Sequence, residues 1–180
     1  MEPTPVAPDA HAPEAAPDDR HSEKYLSFVT GDEVYALPIG DVAEIISLQR
    51  IIPVPTTPSF IRGLINLRGA VIPVVDVRQR LGLPPVEPGD RSCIVVVRTD
   101  DEEIGLLVDS VSEVLEMRAD QIQPAARSSS APASTAFARG LGLVDGAVRV
   151  VLDSKRLLYA GRPADATAAG ERTGNGAAGA

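Results

Sequence analysis

The chain contains 180 residues, of which 25 are acidic and 17 are basic, and its net charge is −8. This acidic balance excludes a general affinity for nucleic acid or anionic lipid, and the lack of tryptophan leaves few platforms for base stacking. A single cysteine, Cys93, excludes an internal disulfide framework. Since the sequence shows neither a secretory signal pattern nor an apolar run approaching the roughly 20 residues that span a bilayer, we expect a cytoplasmic protein without direct membrane insertion.

Both ends of the chain are predicted to be disordered. Residues 1–23 are acidic and rich in proline and alanine, and residues 161–180 are mostly alanine and glycine. Neither segment has enough large apolar side chains to offset the entropy lost on ordering. The folded domain is therefore expected at residues 24–160.

Short apolar runs separated by turn residues fill this domain and predict β-strands. Runs at 25–29 and 33–37 flank Thr-Gly-Asp and indicate a hairpin, and residues 39–46 indicate a helical turn that continues as a strand. Later runs at 93–97 and 104–117 predict further strands, the first of them apolar on both faces and hence central.

The most distinctive stretch is residues 60–81, which read as strand, turn, strand and short helix. Gly69 can adopt positive φ at little steric cost, so Arg68 and Gly69 form a plausible hairpin turn. Asp76 is placed to cap a helix that ends at Gly82. The unusual feature is a guanidinium, that of Arg68, at the tip of an otherwise apolar hairpin.

An internal repeat organises these elements. Residues 60–81 match residues 137–158 at ten of 22 positions, and a shift of 69 aligns Val42, Glu44 and Ile45 with Val111, Glu113 and Val114. A repeat of this length predicts two similar lobes. We therefore predict an all-β fold of two small five-stranded SH3-like β-barrel subdomains packed side by side, with short helices, at about 25–82 and 93–158.

The repeat separates scaffold from candidate site. We interpret the turn and repeated positions as scaffold: Gly63, Asn66, Gly69, Asp76, Gly140, Gly146 and Asp153. Arg68 aligns with Asp145 and occurs in one copy only. It could form a turn-tip salt bridge worth ~0–1 kcal/mol, or offer its forked donors to a partner. Glu44 could likewise be a solvent-facing charge or, beside Val42 on one strand face, a contact residue.

Enzyme chemistry finds little support. The predicted domain has no histidine and one cysteine, so no metal site is expected. Cys93 lacks a nearby base and reads as a core thiol. The glycines at 140, 142 and 146 do not have dinucleotide-binding spacing, and no P-loop is present. We therefore predict a binding module without a cofactor.

Across this domain the sequence resembles the CheW family, the coupling proteins of bacterial chemotaxis. The similar segments are GDEVYALPI, VAEII, TPSFIRGLINLRGAVIPVVDVR, IGLLVDSVSEVLEM, ADQIQPA and GLGLVDG, and NLRG followed by PVVD is the most specific. The resemblance implies a non-catalytic adaptor in a two-component system. It would bridge the cytoplasmic tip of chemoreceptors to the regulatory domain of the histidine kinase CheA, and CheW–CheW or CheW–CheA contacts in rings would be expected.

The resemblance also implies a site. The receptor-contacting positions of the family fall on Val42, Glu44, Arg68 and Val114, in a groove between the lobes, and a further groove position falls on Cys93, where an aliphatic residue is commoner. No kinase-contact residues are assigned. The adaptor would be cytoplasmic and recruited to membrane-associated receptor arrays. The alternative is a CheW-like regulatory or localisation scaffold whose tails recruit another partner.

Overall fold

The computed structural model describes residues 22–99, 102–125 and 133–159. The predicted tails lie outside these residues, except for Ser22 and Glu23. These two residues begin the first strand, so the predicted boundary at residue 23 is corrected to the start of that strand. The physical reason is pairing: Ser22 lies opposite Arg118, and the Glu23 carboxylate accepts a 2.7 Å hydrogen bond from the Tyr25 hydroxyl.

Two sheets form two lobes, which do not follow the two halves of the chain. The sheet of the first lobe has the order β3-β6-β7-β5-β4, with strands β3 (Val42–Ser47), β4 (Ile61–Leu67), β5 (Ala70–Asp76), β6 (Cys93–Arg98) and β7 (Glu103–Val108). The sheet of the second lobe has the order β8-β1-β2-β11-β10-β9, with strands β1 (Ser22–Thr30), β2 (Glu33–Pro38), β8 (Ser110–Arg118), β9 (Ile122–Pro124), β10 (Ala138–Val144) and β11 (Ala147–Leu152).

Helical structure is short and follows the β-hairpins. Helix α1 (Val77–Arg80) follows β5, and helix α2 (Ser154–Tyr159) follows β11. In the part of the chain that the structure describes, 3-10 turns cover Ile39–Asp41, Ala119–Gln121 and Ala133–Phe137. Within the described ranges, no helix has the length and apolar character needed to cross a membrane.

The predicted all-β class with two small barrels is confirmed, but the sheet of the second lobe has six strands and not the predicted five, because the short strand β9 adds to its edge. The division at 25–82 and 93–158 describes the repeat and not the sheets. Hairpin β1–β2 lies in the sheet of the second lobe, where β2 runs parallel to β11. Hairpin β6–β7 lies in the sheet of the first lobe, where β7 runs parallel to β5. The two halves have thus exchanged hairpins. Strands that are apolar on both faces can occupy these central positions, which bury both surfaces.

The exchange produces one core that is shared by the lobes. Buried side chains from the second lobe, such as Leu26 and Phe28, pack in the same cluster as Val95, Val97 and Leu106 of the first lobe. Two smaller clusters fill the individual lobes, one around Ile65 and Ile72 and the other around Tyr25 and Met117. Burying apolar surface between the lobes holds them together without prescribing a direction.

Matched residues of the repeat have matched structural roles. The Asp76 carboxylate accepts a hydrogen bond from the Gln79 amide at 3.2 Å and caps α1, and Asp153 accepts one from the Arg156 amide at 2.9 Å at the start of α2. Gly63 lies where an added Cβ would be 2.2 Å from the Ile52 carbonyl oxygen. These contacts explain why the positions recur: each lobe needs the same cap and the same close strand crossing.

Candidate functional site

The tip of hairpin β4–β5 is a tight turn with an unusual residue. Arg68 and Gly69 both have positive φ, +52° and +88°, as the predicted two-residue turn requires. The Asn66 side-chain oxygen accepts the Gly69 amide at 3.0 Å and closes the turn. An arginine in the left-handed region costs roughly 1–2 kcal/mol, and Asp145 at the matching turn belongs to a residue type that tolerates it better. Such strain clusters at functional sites.

Arg68 makes a two-pronged ion pair with Glu44. Its Nη1 lies 2.7 Å from Glu44 Oε1 and its Nη2 lies 2.8 Å from Oε2. The Arg68 side chain is 76% exposed and that of Glu44 is 27% exposed, so the pair contributes little to stability. Strands β3 and β4 are the two edges of the sheet, so this pair joins the edges of the first barrel. Two sequence candidates are thereby brought together.

Three donors of the guanidinium remain beyond the two that reach Glu44, because arginine carries five N–H groups. The pair therefore presents N–H donors and carboxylate oxygens in a defined orientation to a partner that binds at this surface. Its geometry is already fixed before a partner arrives, which lowers the entropy cost of binding.

The other three candidates are distributed around the junction between the lobes. Val42 lies opposite Val97 and packs against the shared core. Cys93 is half-buried at the start of β6, and burial raises the pKa of its thiol while a hydrogen bond with the Val111 backbone opposes that shift. Val114 lies three residues beyond Val111 on β8, an edge strand of the second lobe, and is 53% exposed. Cys93 and Val111 both pack against the shared core, so the start of β6 lies close to this edge of the second lobe.

Ile45, the neighbour of Glu44 on β3, is an exposed apolar residue. A bulge at Ala43 changes the register between β3 and β6, and Ile46 packs inward while Ile45 is 45% exposed. The repeat contained the signal, since Ile45 aligns with Val114, which is also exposed on an edge strand. Each lobe thus exposes one branched apolar side chain at the matched position of its edge strand.

A hollow of about 560 Å³ lies beside Ile45. One wall is the end of β3 with Leu48, and the other is the loop that leads through Arg91 to Cys93. Apolar side chains on one wall and charged side chains on the other suit an amphipathic partner segment.

The outer faces of the two lobes form a second feature. In the first lobe Val71, on hairpin β4–β5, is 66% exposed. In the second lobe Val148, its counterpart at a shift of 77, is 59% exposed and lies opposite Leu143, which is also exposed. Exposed apolar side chains at matched positions of both lobes indicate two related contact surfaces.

Nothing in the described ranges forms a group of three or more histidine, cysteine, aspartate or glutamate side chains placed to hold a metal ion. The arrangement of the site is suited to binding, because Glu44 and Arg68 pair with each other and the apolar side chains of Ile45 and Val114 are exposed.

Comparison with known proteins gives one consistent result. The family model described as the CheW-like domain matches residues 24–162. A chemotaxis protein CheW of Klebsiella aerogenes is 32% identical over 136 residues, covering 76% of this chain and 81% of the relative. A chemotaxis protein CheW of Thermotoga maritima is 34% identical over 133 residues, covering 74% and 85%.

Similarity extends to three dimensions. The crystal structure of the scaffolding protein TtCheW from Thermoanaerobacter tengcongensis superposes with a TM-score of 0.71. It is 32% identical in sequence, and the match covers 77% of this chain and 94% of that chain. This chain therefore shares its two-lobed fold with nearly the whole length of that solved chain.

Proposed function

The chain belongs to the CheW family of chemotaxis adaptor proteins, and we propose that it couples chemoreceptors to the histidine kinase CheA without catalysing a reaction. The observation that supports this proposal best is the preformed Glu44–Arg68 pair, which joins the two edge strands of the first barrel. A pair of this kind contributes little to folding, so its strained turn is better explained by recognition.

In this proposal the receptor binds as a helical segment in the groove between the lobes. Its apolar stripe would contact Val42, Cys93 and Val114, and polar groups beside the stripe would pair with Glu44 and Arg68. Apolar contacts would supply affinity, and the charged pair would set the register, since polar contacts are directional. The protein would act on the cytoplasmic side of the membrane, recruited there by the receptors and not by lipid.

The kinase contact is proposed on the outer faces of the lobes. Val71 and Val148 lie at matched positions, so each face suits a partner lobe of the same construction, such as the CheW-like regulatory domain of CheA. A contact between unlike lobes of successive molecules is head to tail and closes into rings when the rotation permits. Contacts between copies of this chain are expected to use the same faces.

Reconstitution tests the adaptor proposal. We expect receptor cytoplasmic fragments, displayed on vesicles, to recruit CheA and raise its autophosphorylation only when this chain is added. The measurement is the rate of ATP-dependent phosphate incorporation and the fraction of kinase that sediments with the vesicles. A chain that binds neither receptor fragments nor CheA would exclude the proposal.

Two further substitutions separate the surfaces. Val148→Asp is expected to weaken CheA binding by roughly tenfold, about 1.4 kcal/mol, because it buries a charge in an apolar contact, and to leave binding to receptor fragments unchanged. Val86→Asp is the control, since Val86 is a similarly exposed valine, at 53% against 59% for Val148, outside both faces. Equal CheA binding by both variants would place the kinase contact elsewhere.

The second candidate is a regulatory or localisation scaffold in which residues 1–23 and 161–180 recruit the partner. Deleting residues 1–21 and 161–180 distinguishes it, because this deletion keeps Ser22 and Glu23 of strand β1. The adaptor proposal predicts that residues 22–160 alone still support kinase activation, whereas the scaffold proposal predicts its loss.

A further inference from the structure

Arg80 occupies a position between the two lobes that the adaptor surfaces do not use. Its guanidinium carbon lies 4.3 Å from the ring centre of Phe60 and 4.5 Å from that of Phe137, so the planar group is held by two aromatic rings. Phe60 and Arg80 belong to segments that flank β4 and β5 of the first lobe. Phe137 precedes β10 of the second lobe. One side chain therefore contacts both lobes at once.

Hydrogen bonds give this contact a direction. Arg80 Nε donates to the Leu157 carbonyl at 2.6 Å, and Nη2 lies 3.5 Å from the Arg156 carbonyl. Both carbonyls are in α2, near its C-terminal end, where backbone oxygens lack helical partners and the helix dipole favours a cation. Burial lowers the pKa of Arg80, yet a guanidinium remains protonated at neutral pH.

The second copy of the repeat has no arginine at the position that matches Arg80. The Phe60 carbonyl accepts the Asp76 amide at 2.8 Å, and the Phe137 carbonyl accepts the Asp153 amide at the same distance, so the two rings are anchored in matched ways. At a shift of 77, Arg80 aligns with Leu157, whose carbonyl accepts its hydrogen bond. The two lobes therefore differ at this position, where Arg80 of one repeat donates a hydrogen bond to the backbone of Leu157, the matching residue of the other repeat.

The shared apolar core alone leaves the relative orientation of the lobes weakly specified. Apolar contacts are non-directional, and apolar cores that are repacked lose uniqueness before they lose stability. A planar cation between two rings, with a donor aimed at one carbonyl, is satisfied in a narrow range of orientations. Arg80 supplies a directional contact that the apolar core lacks, in addition to the 2.9 Å hydrogen bond between the Thr99 and Tyr159 hydroxyls.

We propose that Arg80 is a positioning residue that fixes the angle between the two lobes. This angle sets where the outer faces lie relative to the Glu44–Arg68 pair. The structural part of this inference stands by itself, whereas its effect on signalling rests on the adaptor function proposed above.

Distance measurement tests the structural part. Spin labels are attached in the full chain at Thr57→Cys and Glu116→Cys, with Cys93→Ser, and distances are measured by pulsed electron paramagnetic resonance. Arg80→Met is expected to broaden or shift the distance distribution, and Arg80→Lys to do so less, because lysine keeps the charge and loses the planar fork. A distribution for Arg80→Met that equals that of the parent would overturn the proposal.

The control separates orientation from simple loss of stability. Ile72→Val removes one methylene from the cluster within the first lobe and is expected to lower stability while keeping the parent distance distribution. If Arg80→Met does not fold, Phe137→Leu replaces it, because it removes one ring and retains the cation. A parent-like distribution in Phe137→Leu would equally contradict the proposal.

A functional measurement then addresses coupling. Arg80→Met is expected to bind receptor fragments like the parent and to lose CheA activation in the vesicle assay. Broadened distances with full activation would overturn the functional part alone. If the parent itself fails to activate CheA, the adaptor function fails, and the distance result is still decisive for the structural part.

Discussion

Arg68→Glu is expected to weaken receptor binding by roughly tenfold to a hundredfold, about 1.4–2.8 kcal/mol, with kinase activation lost in proportion. The substitution removes the fork that pairs with Glu44 at 2.7 and 2.8 Å and places two carboxylates together. Since the side chain is 76% exposed, the melting temperature should change little. Titration of labelled receptor fragments and thermal unfolding monitored by circular dichroism measure the two effects.

The matched control is Arg98→Glu. Arg98 forms an exposed ion pair with Glu103 at 2.9 Å on a different hairpin, so the change in charge and in local pairing is the same. We expect receptor binding to be unaltered in this variant. The double variant Glu44→Arg, Arg68→Glu then rebuilds an ion pair in reverse, and its continued failure would indicate that the receptor reads the charges directly. Parent-like binding by Arg68→Glu would remove this pair from the site.

Gly63→Ala is expected to prevent folding or to cost several kcal/mol of unfolding free energy. Gly63 has φ +148°, which side-chain-bearing residues rarely adopt, and an added Cβ would lie 2.2 Å from the Ile52 carbonyl oxygen. Backbone strain of about 1–2 kcal/mol is therefore joined by an overlap with main-chain atoms that cannot move aside. Urea unfolding monitored by circular dichroism measures the loss.

Three other glycines separate the causes of this effect. Gly69→Ala meets positive φ but open space, so we expect a loss of about 1 kcal/mol from strain alone. In Gly140→Ala the added Cβ would lie 2.5 Å from the Gln123 carbonyl oxygen without a positive φ, so its loss of stability measures the effect of the steric overlap alone. Gly40→Ala meets neither condition and should be close to neutral. Equal stability of Gly63→Ala and Gly40→Ala would refute the argument.

Local features of the fold were predictable from the sequence. The turn at Arg68-Gly69, the cap at Asp76 and the 3-10 turn that leads into β3 depend on short-range backbone preferences and hydrogen bonds, which are encoded within a few residues. The two-lobed architecture was predictable as well, because a repeat can be seen without knowing which strands pair.

The sequence predicted which residues belong to the candidate site better than it predicted how their side chains are arranged. Glu44 and Arg68 were both candidates, yet their direct pairing depends on how the barrel brings its two edge strands together. Which of Ile45 and Ile46 faces the core depends on which face of β3 is covered in the barrel, and the alternating burial of β3 places Ile46 inward and Ile45 outward. The role of Arg80 was not foreseen, since both aromatic rings that hold it are distant in sequence or in the other lobe.

By itself, the sequence determined the strand-forming segments, the turns, the caps and the existence of two similar lobes. Only the tertiary structure decided that the lobes exchange hairpins β1–β2 and β6–β7, and that Arg68 meets Glu44. The physical reason is the distance along the sequence over which each interaction acts. Turn and cap preferences act between neighbouring residues, whereas strand pairing and core burial are non-local and can be satisfied by either half of a repeat.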